Sequence, residues 1–492
     1  MENTASLVRI QAALQKLSNL PADRPDVESL NDEVRLFVNH CCGRLDTIVS
    51  AQALQECQVS SVQQALEARG KERTTALKRH QIDPSACTVS LNVIEFTREG
   101  CVIDVCVHVI NKLRTPMEQP NQDDVRDMLT VAVATPSSSS HALKTGLAPS
   151  QVVYDSPAKT MRELRLALNR NVGLLNVDNF DELTRIQSLV SGECSASTSS
   201  VGLRINPQIG AGDIEATSTA TATAKFGIPV NQPGVLQRVI DSCAAMPRVN
   251  ALHVHVGSGG MGFDQLVAGV ASICSTAEAI NSALGHRQIT TLDIGGGFPV
   301  SYEKMKESPS FAQYWGAVVA AVPSVTEYRL VTEFGRALIA RSGYLASKVE
   351  YVKSQGGRQI ATIHFGADMC VWTAYTKEHM MRLPMDIYGQ KDGEWVLRTP
   401  EDTPVDTSSV ANGLDVVGPL CFSADIVAWE REYLPALREG DVAIFGCTGA
   451  YTLSVWSRFN SRPVPKVLVL GQQGERVVKS KETEEEALRI WG

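Results

Sequence analysis

Thr290-Thr291-Leu292-Asp293-Ile294-Gly295-Gly296-Gly297-Phe298-Pro299 is a short apolar run that stops in three glycines. The run before it closes on His255-Val256-Gly257-Ser258-Gly259-Gly260, and the run after it on Glu333-Phe334-Gly335-Arg336. Working outward, eight such runs follow one another: Cys101–Ile110, Thr130–Ala134, Gln151–Tyr154, Gly173–Val177, Val201–Ile205, Ala251–Val256, Thr290–Ile294 and Tyr328–Thr332. Between most of them lies an amphipathic stretch such as Ala158–Asn169 or Phe263–Leu284. Eight alternating strand and helix units predict an α/β fold of the (β/α)8 TIM-barrel type over residues 91–345. A doubly wound dinucleotide-binding sheet shares the alternation but needs a glycine-rich turn after its first strand. Cys101–Arg114 contains no glycine.

In such a barrel the working residues follow the strands at one end. Three consecutive strands here end in turns suited to an anion. Glycines let backbone N–H groups come close, Ser258 adds a hydroxyl, and Arg336 adds a charged fork. A phosphate-bearing ligand is therefore expected. His255 is placed either as a structural residue or flat against an aromatic ligand. Glu333 is either the ion-pair partner of Arg336 or the acceptor for a protonated ring nitrogen.

The 492 residues carry 46 Lys and Arg against 54 Asp and Glu, a formal net charge of −8. Surfaces that neutralise phosphate backbones are ordinarily basic, so nucleic acid is not an expected partner. No apolar run approaches about 18 residues, so no membrane span is expected. The 12 cysteines are irregularly spaced without a C-x-x-C pair. This predicts reduced thiols in the cytoplasm and no metal site. Residues 1–90 read as a helical extension, from Leu7, Val8, Ile10, Leu14 and Leu17, then Val27, Leu30, Val34 and Phe37. Residues 346–492 lose the alternation and read as an all-β domain with strands at Gln359–His364, Val442–Phe445 and Lys466–Leu470. Ser137–Ser140 and Thr217–Ala224 read as loops or helix caps.

With Tyr154-Asp155-Ser156-Pro157-Ala158-Lys159, Asn176-Val177-Asp178-Asn179, Leu203-Arg204-Ile205-Asn206-Pro207, Gly418-Pro419-Leu420-Cys421 and Gly449-Ala450-Tyr451-Thr452 added to the three turns, the order resembles the fold-type III pyridoxal-phosphate decarboxylases. These include the ornithine, diaminopimelate and arginine decarboxylases. The resemblance runs from about residue 100 to about residue 470. It implies an alanine-racemase-like barrel binding pyridoxal 5′-phosphate, and a homodimer whose active sites are shared across the interface. It implies that Ser258, Gly296, Gly297, Gly335, Arg336 and Tyr451 hold the phosphate. His255 would stack on the pyridine ring, Glu333 would pair with its nitrogen, and Cys421 would return a proton to the α-carbon.

The sequence departs from that family at three places. The family's Schiff-base lysine falls on Val109 in the best register, and Lys112, the expected substitute, lies three residues further on. That is roughly 10 Å along an extended chain. The acid usual after the second strand falls on Ala132, and the acid usual after the cysteine is Phe422, leaving Asp425 as the nearest carboxylate. The expected function is pyridoxal-phosphate-dependent decarboxylation of an amino acid whose distal end differs from that of ornithine or diaminopimelate. The alternative is a catalytically impaired paralogue that regulates an active decarboxylase as its heterodimer partner.

Overall fold

The computed structural model describes residues 47–50, 131–302, 308–375, 382–399, 413–431, 435–471 and 474–490. Seven parallel strands lie in sequential order: β2 (Val131–Val133), β3 (Val152–Asp155), β4 (Leu174–Val177), β5 (Ser200–Arg204), β6 (Val249–His253), β7 (Thr291–Asp293) and β8 (Arg329–Val331). Every one coincides with a predicted run. The eighth run, Cys101–Ile110, and Lys112 beyond it lie outside the described residues.

Helices α1 (Pro136–Lys144), α2 (Met161–Asn169), α3 (Phe180–Ser191), α4 (Val235–Ala245), α5 (Phe263–Leu284) and α6 (Phe311–Ala321) alternate with the strands. Local chemistry sets their starts. The hydroxyls of Thr135, Thr160 and Ser310 and the amide oxygen of Asn179 each accept the N–H of the residue three positions on. The serine run Ser137–Ser140, expected as a loop or cap, lies inside the first turns of α1, because Thr135 and Ser138 cap each other's backbone. Helix α5 is long and apolar enough to cross a bilayer, which the sequence reading did not anticipate. It instead buries Leu266, Val270, Ile273, Ala277 and Ile280 in the barrel's outer core.

Inside the sheet the side chains form two layers, as the two-residue strand period requires. The lower layer is apolar: Val153, Leu174, Ala251 and Val331 pack together. Gly202 completes it, since a Cβ there would stand 2.3 Å from Asn176 Oδ1. Two residues further along each strand come Asp155, Asn176, Arg204, His253, Asp293 and Glu333. Strand register pairs Ala132 with Val153, in the lower layer.

The second domain holds two sheets. A seven-stranded one runs in the order β13 (Glu394–Leu397), β12 (Met385–Lys391), β16 (Val442–Phe445), β9 (Gly343–Lys348), β1 (Thr47–Ser50), β17 (Val467–Gly471) and β18 (Gly474–Lys479). A four-stranded one runs β10 (Tyr351–Gln355), β11 (Arg358–Thr362), β14 (Leu414–Val417) and β15 (Ile426–Arg431). Phe365, Phe445, Ile387 and Val416 are buried in the core of this domain. Of the helical extension expected over residues 1–90 only 47–50 are described, and these form a strand; the rest lies outside the described residues. The β-branched Thr-Ile-Val pairs antiparallel with β17 and parallel with β9, so tertiary pairing overrides any helical pattern there.

Candidate active site

The polar layer at the C-terminal ends of β3 to β8 is built by mutual hydrogen bonding. Asn176 Nδ2 donates to Asp293 Oδ2 (3.1 Å), and Gly295 N–H donates to Asp293 Oδ1 (3.1 Å). Burial and the nearby Glu333 push the Asp293 carboxyl well above the ordinary range. Lys159 lies fully buried behind this layer. Its amine donates to the carbonyls of Ser156 (2.6 Å) and Asn176 (2.7 Å) and faces Glu182 Oε1 at 2.9 Å. Two hydrogen bonds to backbone carbonyls and the ion pair with Glu182 hold the amine in place, which gives Lys159 a structural role. Arg204 Nη1 stands 3.4 Å from Asp155 Oδ2, and Arg204 Nε stands 4.0 Å from Asp178 Oδ1.

His255 and Glu333, both singled out in the sequence, meet above this layer. Gly296 N–H donates to His255 Nδ1 (2.9 Å), and His255 Nε2 lies 3.1 Å from Ser258 Oγ. Nδ1 is therefore the acceptor and Nε2 carries the hydrogen, so the ring is fixed at both nitrogens. Glu333 Oε2 is 3.6 Å from His255 Nδ1, while Glu333 Oε1 is buried without a hydrogen-bond partner. Burial alone would push the Glu333 carboxyl up, yet it lies below the usual carboxylate range.

The glycines are steric requirements. A Cβ on Gly296 would lie 2.7 Å from Glu333 O and 3.0 Å from His255 Cε1, and one on Gly297 would lie 2.1 Å from Gly257 O. Gly297 also has φ of +85°. The N–H of Gly296 is committed to His255, and that of Gly335 to Glu333 O (2.8 Å). Both glycines thus shape the cradle. Arg336, on the short helix α7 (Gly335–Ile339), donates to Tyr302 Oη (2.8 Å) and lays its guanidinium 4.4 Å over the Tyr451 ring. Tyr451 arrives from the β domain because its loop packs tightly on the barrel. Gly449 N–H donates to Ala340 O (3.0 Å), and a Cβ on Gly449 would fall 1.9 Å from Ile339 O.

Cys421 is not drawn into this group. It is an exposed thiol between β14 and β15, and its N–H donates to Asn460 Oδ1 (3.3 Å). Asp425, the expected remaining distal acid, is buried: Oδ1 accepts Ala367 N–H (2.5 Å) and Oδ2 accepts Leu420 N–H (2.7 Å). Those bonds fold the loop and take the carboxylate away from any solvent-side ammonium. Phe422 stacks on Tyr375 (ring centroids 5.2 Å, 26°).

Sequence reasoning missed several contributors. Asn176 and Asp293 stood in quoted motifs without a role, His253 carried only the signal of ending a strand, and Tyr302, well past β7, carried none. The Thr217–Ala224 stretch does more than connect. Thr219 Oγ1 donates to His255 O (2.5 Å) and Thr217 Oγ1 to Gly259 O (2.8 Å), so these hydroxyls hold the loop that carries His255.

The arrangement suits a planar, protonated heterocycle that carries a phosphate. A buried anion has one free oxygen beside a pinned imidazole, and the adjoining glycine cradle ends in an arginine. Residues 131–340 match the family described as "Pyridoxal-dependent decarboxylase, pyridoxal binding domain". Over those residues the chain is similar to the pyridoxal-phosphate-dependent decarboxylases that its sequence resembles. It is 28% identical over 350 residues to diaminopimelate decarboxylase of Helicobacter pylori, covering 71% of this chain and 80% of that one. It is 27% identical over 354 residues to the diaminopimelate decarboxylase of Methanothermobacter thermautotrophicus, with 71% and 76% covered. The crystal structure of the Helicobacter pylori enzyme complexed with L-lysine superposes with a TM-score of 0.62 at 25% identity over 74% of this chain and 84% of that one. The matched domain is a pyridoxal-binding one, so pyridoxal phosphate is the cofactor, and the buried free oxygen of Glu333 beside the Gly295–Gly297 cradle fits it.

Proposed function

We propose that the protein decarboxylates an amino acid in the cytoplasm, as a homodimer, and that the substrate's distal end is not a simple ammonium. The observation that carries the first part is Glu333: a buried carboxylate, held anionic, with Oε1 unpaired beside the fixed imidazole of His255. When bound, pyridoxal phosphate supplies an electron sink for the bond that breaks at the α-carbon. Glu333 would keep a ring nitrogen protonated and His255 would cover a ring face. Ser258, Gly297, Arg336 and Tyr451 would receive the phosphate, with Gly296 and Gly335 shaping its cradle. Cys421 is an exposed thiol able to return a proton at the α-carbon, in an active site completed by a second copy.

The substrate proposal is supported by the Cys421 loop. Asp425 is committed to two backbone N–H groups, and Phe422 is stacked in an aromatic cluster with Tyr375 and Phe459. Neither offers an acceptor to a distal cation. A second reading, an impaired partner subunit, is supported by the lysines. Among the described barrel residues, Lys159 is locked and Lys144 and Lys225 are exposed.

One experiment tests both. Purified protein is mixed with pyridoxal phosphate, reduced with borohydride, and mapped by mass spectrometry, while carbon dioxide release is followed across a panel of amino acids. A reduced adduct on Lys112 with release of carbon dioxide supports the enzyme. Cofactor binding without an adduct or release supports the partner subunit.

A further inference from the structure

Asp155, His253 and Glu333 come from β3, β6 and the loop after β8, and their nitrogen and oxygen atoms lie within 4.8 Å of one another. Asp155 Oδ1 is 3.8 Å from His253 Nδ1, and Glu333 Oε2 is 4.0 Å from His253 Nε2. Asp155 Oδ1, both His253 nitrogens and Glu333 Oε1 are buried without hydrogen-bond partners. Four such atoms in one spot are far above the norm for a folded interior, where buried polar groups are paired. The gaps are too wide for direct hydrogen bonds, and a small shift would let the three groups pair with one another.

The imidazole is fully buried, and burial pushes it down to about 3. A neutral imidazole has one N–H and one lone pair. It faces a carboxylate at both nitrogens, so its lone pair would confront an anion unless a further proton is present. The other groups turned toward this trio do not remove the conflict. Arg204 from β5 reaches Asp155 Oδ2, Lys159 is committed elsewhere, and Asp293 from β7 is tied to Asn176 and Gly295. Asp178, after β4, faces Arg204 and accepts from Gly227. His255 is fixed by Gly296 and Ser258.

We propose that Asp155 is a positioning residue for Glu333: the two carboxylates share one additional proton through His253, which orients Glu333 as the anionic end of a relay beneath the cofactor's ring nitrogen. This rests on the cofactor site described above. Asp155 does not touch the ring in this scheme; it decides which His253 nitrogen carries hydrogen and so where Glu333 points.

The test uses the full-length protein and pyridoxine 5′-phosphate, which has no aldehyde and so bypasses any lysine. Affinity is measured by calorimetry in buffers of differing ionisation heat, which also counts protons exchanged, and the 15N signal of ring-labelled ligand reads the ring's protonation. Asp155→Ala is expected to bind about 10-fold more weakly, with the ring signal moved toward the neutral form. Asp155→Asn, which can donate a hydrogen to His253 but cannot titrate, is expected to restore most of the affinity while the proton count changes by about one. Unchanged affinity, ring signal and proton count in both variants would overturn the proposal. If the wild-type protein itself fails to bind, the cofactor site falls and the relay with it, an outcome distinct from an indifferent Asp155.

Discussion

Gly296 donates its backbone N–H to Nδ1 of His255 at 2.9 Å, joining the loop after β7 to the loop after β6. The bond fixes the tautomer of the imidazole as well as its plane. It also explains why a side chain cannot be tolerated at Gly296, where a Cβ would press on both Glu333 O and the His255 ring. Gly296→Ala should therefore displace His255 and lower pyridoxal-phosphate affinity by about 10-fold, with His255→Ala producing a loss of similar size. Fluorescence titration with the cofactor checks both. A Gly296→Ala protein that binds normally would show that the glycine is there only for the turn.

Glu333→Gln keeps the shape of the side chain and removes its charge. If Glu333 holds a ring nitrogen protonated, the variant should bind cofactor yet lose about 10²–10³-fold in kcat, since the lost interaction strengthens as charge develops. Steady-state kinetics with the preferred amino acid separates this from a loss in KM. An equal loss in binding of cofactor and in kcat would instead mark Glu333 as a structural anion.

Seven of the eight barrel strands could be read from the sequence because parallel strands, buried on both faces, leave continuous apolar runs. His255, Ser258, Glu333 and Arg336 were legible because each lies at the end of such a run or in the turn that directly follows it. Asp155 and Asn176 stood in recognisable motifs and His253 beside one, but none could be given a role, although they share the same layer. Their signal is position within a two-residue period, which only the register of neighbouring strands reveals. Thr217–Ala224 is the loop that its composition suggested, but low complexity in sequence says nothing of where its hydroxyls point. Thr47–Ser50 escaped because its partners β9 and β17 lie about 300 and 420 residues away in sequence, beyond any local pattern.

The thiols separate by burial. Burial pushes Cys243 and Cys274 up to about 12, and also raises Cys194 and Cys370, whereas Cys421 is exposed. A thiol raised this far stays protonated at pH 8, and the thiolate is the reacting species. Among Cys194, Cys243, Cys274, Cys370, Cys421 and Cys447, iodoacetamide at pH 8 should label Cys421 first, as read by peptide mass mapping. Raising the pH toward 11 should recruit the buried thiols only as they ionise or as the protein opens. Early labelling of Cys243 would contradict the packing of α4.

Phe422 offers the sharpest test of the substrate. Asp425 is held by Ala367 N–H and Leu420 N–H and closely flanked by Gly366 and Gly418, so it cannot turn outward without undoing its loop. Asp425→Ala should therefore cost about 1–3 kcal/mol of stability, from two orphaned backbone donors, and leave the ranking of substrates unchanged. Phe422→Asp should act in the opposite sense. It removes an aromatic stack with Tyr375 and places an acceptor on the Cys421 loop. A charge-assisted bond to a distal ammonium contributes about 1.5–3 kcal/mol, so kcat/KM for ornithine, lysine or diaminopimelate should rise roughly 10- to 100-fold relative to the wild type. Carbon dioxide release from those amino acids, set against amino acids with neutral distal ends, measures the shift. If Phe422→Asp leaves the ranking as it was, the loop does not read the distal end and the aromatic cluster is packing alone.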